Sequence, residues 1–340
     1  MTVGIGVVGA GLMGSRRARS AAREPRCQLR IVADVQEPRA QQLAQELGCR
    51  AVTDWRDVVT DPTVDAIAVS TVNAALAPIT VAALAEGKHV LCEKPLGRNL
   101  CEATDMVSAA DRHRRILKVG FTLRFHPAIR QARVICERGD LGPLFFIRAV
   151  YGHGGRPGYT EEWRGSREQS GGGELLDQGV HLLDLSRWFL GDFTQVFGSM
   201  GHWFWDTGDV EDNAFAVLGT AQGQIASLHA SWTQWRNRFL FEVSGRDGFV
   251  TVDGLGGSYG TESLIVGRRR PESGPPDEET VRFDGPDPSW DDDWADFIEA
   301  IVSGRRPAAT GDDGVAVMRL VDALYNRSAS DRFPGSTPPQ

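Results

Sequence analysis

The chain has few cysteines, no excess of positive charge and no long apolar runs, and each shortage excludes a class of protein. Its 340 residues include five scattered cysteines, all in the first half: Cys27, Cys49, Cys92, Cys101 and Cys136. An odd, scattered set favours buried thiols in a reducing cytoplasm over disulfides or a metal cluster. A net charge of -8 argues against nucleic-acid binding. Because no apolar run could span a bilayer, we expect a cytoplasmic protein without metal or membrane partners.

The first strand and turn are the most informative stretch of the sequence. The apolar run Val3–Val8 ends in Gly9-x-Gly11-x-x-Gly14, and a helical stretch rich in Ala and Arg follows. In a dinucleotide-binding turn the first glycine permits the tight turn, the second lets backbone approach the pyrophosphate, and the third lets helix pack on strand. An ordinary turn can show the same pattern, so it depends on its context. The predicted cofactor contacts of the turn are Gly9, Gly11, Leu12, Met13 and Gly14.

The context is a second apolar strand that ends at Asp34, twenty residues beyond Gly14. A carboxylate at that point can accept hydrogen bonds from both ribose hydroxyls of NAD, and it would repel the extra phosphate of NADP. The alternative is an aspartate that merely ends a strand. We therefore predict NAD(H) as the cofactor, in preference to NADP(H).

Strand-like and helix-like stretches alternate through the first third of the chain. This alternation predicts an α/β Rossmann domain, a doubly wound parallel sheet that binds its ligand at the carboxyl ends of the strands. Lys94 follows one such strand and precedes Pro95, which restricts the lysine's backbone, so we expect Lys94 to reach into the crevice. The other candidate cofactor contacts after strands are Thr71, Asn73, Glu93 and Arg124.

The pattern changes at about Phe125, beyond which strands dominate. It predicts an α+β domain with a large, open and mostly antiparallel sheet. The predicted boundaries are 1–122 for the NAD-binding domain, 123–330 for a substrate and oligomerisation domain, and 331–340 for a flexible tail. The terminal helices within 290–326 are candidates for packing back on the first domain.

A second candidate centre follows the glycine run 171–173. Apolar residues there have helical spacing, and Asp177, His181 and Asp184 stand at i, i+4 and i+7, which places them on one face of a regular helix. Gly179 lies between them, as the close approach of a flat nicotinamide ring would require. Three interpretations compete: a solvated polar face, a metal site that lacks an evident further ligand, and an acid/base pair. We favour the acid/base pair because the first domain implies a redox cofactor.

Candidate substrate contacts lie mainly in the glycine-rich loop 151–173, which is predicted to cover the substrate. They are His126, His153, Arg156, Tyr159, Trp163 and Asp177, with Arg164 in the same loop. A run of acids further on is interpreted in two ways, as a site that attracts an aminated sugar or as a solvated loop. Its members are Asp206, Asp209, Glu211 and Asp212.

Together these motifs resemble the glucose-fructose oxidoreductase/inositol dehydrogenase (Gfo/Idh/MocA) family over nearly the whole chain. They are the turn 9–14, Glu93-Lys94-Pro95, Gly120-Phe121 with Arg124, and Gly172-Gly173 followed by Asp177-x-Gly179-x-His181. The resemblance implies a Rossmann domain and an open-sheet domain that makes subunit contacts, in a homodimer or homotetramer. It also implies that Lys94, Asp177 and His181 are catalytic. Two departures are Thr71-Val72-Asn73 where many members have Thr-Pro-Asn, and Thr122-Leu123 where Asn-Arg is commoner.

These observations predict an NAD-dependent dehydrogenase acting on a secondary hydroxyl of a sugar, an inositol or an aminocyclitol/aminoglycoside-type substrate. His181, whose imidazole titrates near neutrality, is predicted to be the base in oxidation and the acid in reduction. Asp177 would orient it, and Lys94 would hydrogen-bond the reacting oxygen. Two alternatives stay open, an NAD-dependent glycoside hydrolase of the same fold and a non-catalytic NAD/sugar-sensing regulator. The complete catalytic set weighs against the regulator only.

Overall fold

A computed structural model of the protein describes residues 2–158 and 161–330, without the side chains of 328–330. The candidate Tyr159 and the predicted tail 331–340 lie outside the described residues. The chain divides into two compact units, Met1–Thr122 with Pro288–Met318 (unit 1) and Leu123–Asp287 with Arg319–Gln340 (unit 2). None of the helices in the described ranges combines the length and the apolar character that crossing a membrane requires.

Unit 1 alternates strands and helices. The strands are β1 (Val3–Val8), β2 (Cys27–Ala33), β3 (Arg50–Val52), β4 (Ala66–Val69), β5 (His89–Cys92) and β6 (Leu117–Val119). The helices are α1 (Leu12–Arg23), α2 (Glu37–Leu47), α3 (Trp55–Val59), α4 (Asn73–Ala85) and α5 (Leu100–His113). Among these described residues the strands form one parallel sheet in the order β3-β2-β1-β4-β5-β6. This confirms the predicted Rossmann topology, whose ligand lies beyond the carboxyl ends of β1 and β4, where the order reverses.

The short elements β3 and α3, of three and five residues, were not recognised in the sequence because neither is long enough to show a period. The helix α9 (Ser289–Ser303) also belongs to unit 1 and packs on α1. Its side chains Trp294, Phe297 and Ile298 are fully buried in the same core as β1. Helix α9, although it comes late in the chain, is therefore part of the hydrophobic core of unit 1.

Unit 2 is built on a second sheet. Its strands are β7 (Leu144–Gly152), β8 (Phe193–Gly201), β9 (Asn213–Thr220), β10 (Ile225–Ser231), β11 (Arg238–Gly245), β12 (Gly248–Asp253), β13 (Glu262–Arg268) and β14 (Asp277–Phe283). The helices are α6 (Pro127–Glu137), α7 (Arg167–Ser170), α8 (Val180–Leu190) and part of α10 (Gly311–Ser330). The portion of α10 from Arg319 onward belongs to unit 2, and the portion before it belongs to unit 1. In the described part of the chain the strand order is β14-β13-β12-β11-β7-β10-β9-β8. The pair β7 and β10 is parallel and the other pairs are antiparallel, which confirms the predicted mostly antiparallel sheet.

The two faces of this sheet differ. Helices α6 and α8 pack on one face, where the alternate residues Ile147, Ala149 and Tyr151 of β7 are buried. On the other face, β8, β9 and β10 leave apolar side chains partly exposed, among them Phe197, Phe215, Val217 and Ile225. The strands therefore alternate as in a half-buried antiparallel sheet, except that this part of the outer face is apolar instead of polar.

Candidate active site

The three glycines of the first turn have different surroundings, and each fits the role predicted for it. Gly9 has a φ of +95°, which favours glycine. A Cβ on Gly14 would lie 1.7 Å from the Gly9 carbonyl oxygen, so helix and strand could not approach with a larger residue. A Cβ on Gly11 would meet no described atom within 4 Å. Beside Gly11 the backbone is thus open to a ligand at the N-terminus of α1, which fits a pyrophosphate.

Asp34 follows β2, and its carboxylate is held by two backbone amides. Asp34 Oδ2 accepts from the Ala10 N–H at 2.7 Å, and Oδ1 accepts from the Gln36 N–H at 2.8 Å. Each carboxylate oxygen has a further acceptor position, which suits the ribose hydroxyls of a dinucleotide. The acid therefore also fixes the glycine turn.

The loops after β4 and β5 supply the other predicted cofactor residues of unit 1. Thr71 donates its hydroxyl to the Val72 carbonyl at 3.2 Å, and Asn73 is buried at the first position of α4. Glu93 is buried, whereas Lys94 is partly exposed and joined to Pro95 by a cis peptide bond. The carboxyl ends of parallel strands share one edge of the sheet, so the structure brings these residues to the same edge as the glycine turn.

The helix that carries Asp177 and His181 begins irregularly. Residues Leu175–Gly179 form a π-helical turn, and the regular helix α8 begins at Val180. The wider turn interrupts the spacing of 3.6 residues from which a shared face was predicted. A Cβ on Gly179 would lie 2.9 Å from Leu175 Cδ1 and 3.6 Å from Ala230 Cβ. Close packing within unit 2 therefore gives one reason for a glycine here, and the expected contact with a nicotinamide ring stays a prediction.

Asp177 and His181 lie in a cluster of polar and aromatic side chains. Arg164 Nε donates to Asp177 Oδ2 at 3.2 Å, and the Arg164 guanidinium stacks on the Trp163 ring at 4.5 Å. His181 is 6% exposed, and the centroid of its ring lies 5.9 Å from that of Tyr151. Unit 2 thus holds a buried imidazole and, one helical turn before it, a carboxylate paired with an arginine from the preceding loop, which are the kinds of group that acid/base chemistry uses.

Two tyrosines in this cluster were not recognised as site residues from the sequence. The rings of Tyr151 and Tyr259 pack edge to face, with centroids 5.3 Å apart. Burial raises the pKa of both phenols, and the nearby carboxylates of Asp177 and Glu174 raise it further. Tyr151 occupies an inward position of β7 that reads as ordinary core, and Tyr259 comes from a loop between strands. Both phenols are therefore neutral at physiological pH and able to donate a hydrogen bond near Asp177.

Two other residues predicted to contact ligands, Arg124 and His126, each pair with a buried carboxylate in unit 2. Arg124 donates from Nε and Nη2 to both oxygens of Asp184, at 2.8 and 2.6 Å. His126 Nδ1 lies 2.9 Å from Glu262 Oε2, and Glu262 also accepts from the Ala128 N–H. These pairs fix α8 and the start of α6, and the ligand contacts of Arg124 and His126 stay predictions.

The described part of the loop 151–173 holds the remaining candidates. His153 Nδ1 accepts from the Gly155 N–H at 3.1 Å, and the exposed Arg156 pairs with Glu162 at 2.7 and 2.8 Å. Trp163 lies under the Arg164 guanidinium, as described above. Arg164 therefore links this loop to Asp177, since it stacks on Trp163 and donates to the Asp177 carboxylate.

The glycine run before the helix is explained by two residues from distant segments, Glu211 and Tyr325. A Cβ on Gly173 would lie 1.9 Å from the Glu211 carbonyl oxygen, and one on Gly172 would lie 2.1 Å from Tyr325 Oη. Glu211 accepts from the Gly173 and Leu175 N–H groups, at 3.2 and 3.0 Å, and from the Tyr325 hydroxyl at 2.8 Å. Burial raises the pKa of this carboxyl. Glu211 therefore satisfies amides at the start of the helix that would otherwise lack partners.

The neighbouring Asp212 has a comparable role. Its Oδ2 accepts from the backbone N–H groups of Trp203, Phe204 and Trp205, at 3.1, 2.7 and 3.1 Å. Both Glu211 and Asp212 are buried. For these two residues the predicted solvated loop is wrong, because both carboxylates are buried and accept backbone amides.

The structure also bears on metal binding and on the cysteines. The described residues contain no group of three or more His, Cys, Asp or Glu side chains placed to hold a metal ion. The five cysteines are free. Burial raises the pKa of Cys92 to about 12 and that of Cys27 and Cys136 to about 11. These three thiols therefore have little thiolate character at neutral pH.

Comparison with known proteins assigns both parts of the chain. The family model described as an oxidoreductase family with an NAD-binding Rossmann fold matches residues 3–121, and the GFO/IDH/MocA C-terminal domain matches residues 129–251. The 1,5-anhydro-D-fructose reductase of Ensifer adhaerens is 33% identical over 281 residues, 78% of each chain. The myo-inositol 2-dehydrogenase of Thermotoga maritima is 27% identical over 93% of each chain. The crystal structure of GenD2 from gentamicin A biosynthesis, in complex with NAD, has a TM-score of 0.83 and 29% identity, covering 97% of this chain and 95% of that one.

The chain belongs to the Gfo/Idh/MocA family of oxidoreductases, as its motifs indicated. It is an NAD(H)-binding enzyme of the dehydrogenase class that acts on CH–OH groups.

Proposed function

We propose that this protein transfers a hydride between NAD(H) and a secondary alcohol or ketone of a sugar, an inositol or an aminocyclitol/aminoglycoside-type substrate. The observation that carries the proposal is the buried His181 beside the ion pair of Asp177 and Arg164. Anhydrofructose, myo-inositol and gentamicin A occur in the names of relatives and of a solved structure similar to this chain. These names support a polyhydroxylated substrate.

The proposed chemistry divides between the cofactor and three side chains. NAD, when bound, supplies the nicotinamide that accepts or returns the hydride. His181 takes the hydroxyl proton in oxidation and returns it in reduction. Asp177, held by Arg164, orients His181 or a neighbouring substrate hydroxyl. Lys94 hydrogen-bonds the reacting oxygen and stabilises negative charge as the proton leaves.

The preference for NAD over NADP rests on Asp34. Its carboxylate is fixed by the Ala10 and Gln36 amides, so it cannot turn away from a dinucleotide without breaking both bonds. A fixed negative charge there repels the 2′-phosphate of NADP while accepting from the hydroxyls of NAD. Asp34 is thus the specificity residue of the proposed cofactor site.

A second copy of the chain is the proposed partner for the outer face of the unit 2 sheet, in a homodimer or homotetramer in the cytoplasm. Phe197, Phe215, Val217 and Ile225 are between 40 and 56% exposed on neighbouring strands of that face. An exposed apolar patch of this kind marks an interaction surface. Light scattering should find an oligomer for the wild type and monomers for Val217→Arg.

The function is tested by nicotinamide absorbance on mixing the protein and NAD with inositols, free sugars, amino sugars, aminoglycosides and nucleotide sugars. Formation of NADH with one class, abolished by Lys94→Ala, is the expected result. The control is Lys88→Ala, since Lys88 donates to the carbonyls of Asp61 and Val64, away from the predicted site residues.

Two other outcomes would overturn the proposal. Release of a sugar from a glycoside without net change in NADH would indicate the hydrolase of the same fold. Binding of NAD and a sugar without any turnover would indicate the sensing regulator.

A further inference from the structure

A buried network of charged side chains lies behind the Glu93–Lys94 loop in unit 1. Arg17 Nε donates to Glu93 Oε1 at 2.7 Å, and Arg17 Nη1 donates to Asp293 Oδ2 at 2.6 Å. Lys118 Nζ lies 2.9 Å from Asp293 Oδ1 and 2.8 Å from Asp296 Oδ2. The side chains of Arg17, Lys118 and Asp293 are completely buried. Such a set persists only when its charges are closely matched.

The network connects three parts of unit 1 that are distant in sequence. Arg17 lies on α1, the helix that starts at the glycine turn, and Glu93 immediately precedes Lys94. Asp293 lies on α9, about two hundred residues further along the chain. Asp293 is the only described carboxylate shown bonded to both Arg17 and Lys118. It is therefore the centre on which the arginine, and through it Glu93, is held.

The geometry leaves little room for Glu93 to move. A Cβ on Gly120 would lie 2.8 Å from Glu93 Oε2 and 2.9 Å from Arg17 Nη2. The Glu93 N–H also donates to the Val69 carbonyl at 2.9 Å. Both the backbone and the carboxylate of Glu93 are thus fixed, which restricts where the following residue, Lys94, can present its ammonium group.

We propose that Asp293 is a positioning residue for Lys94, acting through Arg17 and Glu93. The expected effect of Asp293 on turnover rests on the proposed function, in which Lys94 hydrogen-bonds the reacting oxygen. The effect on Lys94 itself does not depend on the substrate. Helix α9 would then contribute to positioning Lys94 and not only to the hydrophobic core of unit 1.

The test compares Asp293→Asn with Asp296→Asn. Both variants remove a carboxylate that contacts Lys118, but Asp296 has no bond to Arg17. A misplacement of a reacting group by about 1 Å can cost about 10²-fold in rate. We expect Asp293→Asn to lower kcat by roughly 10- to 100-fold with the KM for substrate and the Kd for NAD changed less than about threefold. Asp296→Asn should keep kcat within about twofold of the wild type.

A second readout needs no substrate. The chain has only three lysines, Lys88, Lys94 and Lys118, and Lys118 is buried. Limited acetylation followed by peptide mass spectrometry should therefore report the reactivity of Lys94 against Lys88 as internal reference. We expect the Lys94/Lys88 ratio to change several-fold in Asp293→Asn and to stay constant in Asp296→Asn.

The outcomes separate the two proposals. Equal losses of kcat in both variants, or an unchanged Lys94/Lys88 ratio in Asp293→Asn, would overturn the positioning role. If the wild type turns over no substrate, the proposed function fails, and the acetylation ratio still decides the inference. If Asp293→Asn does not fold, Arg17→Lys replaces it, because lysine keeps the charge but cannot bridge Glu93 and Asp293 with separate nitrogens. The Lys94/Lys88 acetylation ratio of Arg17→Lys then tests the positioning role.

Discussion

The glycine turn of unit 1 and the Asp177–His181 segment of unit 2 are both candidate site elements, but they are built in different ways. In the turn, Gly9 and Gly14 are explained by atoms nearby in sequence or beside the adjacent strand, since Gly14 packs on the Gly9 carbonyl, whereas Gly11 faces open space. The Asp177–His181 segment depends on Glu211 and Tyr325, which come from other parts of the chain. Local motifs therefore reveal the first site, whereas the geometry of the second is set by long-range packing.

The largest expected effect tests the second element. His181→Ala should lower turnover by about 10²- to 10⁴-fold, the usual contribution of a general acid/base, while the Kd for NAD stays the same. Steady-state kinetics and calorimetric titration with NAD measure the two quantities. His113→Ala, at the end of α5, is the control and should behave as the wild type. Unchanged turnover in His181→Ala would remove this residue from the mechanism.

The next test separates two glycines of the first element. Gly11→Ala should leave the melting temperature unchanged, because no described atom lies within 4 Å of the added Cβ, and should weaken NAD binding about tenfold or more. Gly14→Ala should instead destabilise the fold, since its Cβ would overlap the Gly9 carbonyl. Thermal melts and NAD titrations of both variants provide the comparison. Tight NAD binding by Gly11→Ala would mean that the pyrophosphate does not approach there.

A smaller effect is expected for the choice of cofactor. Asp34→Asn keeps one oxygen to accept a backbone amide but loses the charge, so the preference for NAD over NADP in kcat/KM should fall about fivefold. That factor corresponds to about 1 kcal/mol, the repulsion between unit charges 4 Å apart in water. Asp57→Asn, on α3, is the control for a general loss of negative charge. An unaltered preference in Asp34→Asn would assign cofactor selection to other residues.

The smallest effect concerns the pH dependence of stability. Because burial raises the pKa of Glu211, its contribution to stability is full below the unfolded-state pKa and is lost as pH rises through the raised folded-state value. The glutamine side chain of Glu211→Gln does not titrate, and its NH₂ group would face the Gly173 N–H, so that two donors meet. At low pH it should melt about 2–4 °C below the wild type, for a cost of about 1 kcal/mol.

This difference in melting temperature should narrow as pH rises above about 4.5, the ordinary pKa of a glutamate carboxyl. Melting curves at pH 4 to 8 measure it. A difference that stays constant or widens with pH would contradict the raised pKa.

The sequence was sufficient to predict the strands and helices whose apolar residues repeat with a regular spacing. The Rossmann order follows from alternating strands and helices, and the tight turn at Gly9 and the close packing at Gly14 follow from their order after a strand. The sequence could not predict the π-helical turn before α8, because apolar spacing does not distinguish it from a regular helix. Nor could it predict that Glu211 is a buried acceptor, since an acid between two others reads as solvated until the fold supplies its partners.

The hydrogen bonds of Glu211 and Asp212 also matter for engineering. The segment between β8 and β9 carries three consecutive aromatic residues, 203–205, whose amides bind Asp212, while the adjacent Glu211 binds the start of the helix with Asp177. Exchanging this whole loop for that of a relative to alter selectivity would therefore also replace the two carboxylates that hold the loop and the start of the helix in place. Libraries that vary residues 202–210 and keep Glu211 and Asp212 should retain far more active members than whole-loop exchanges.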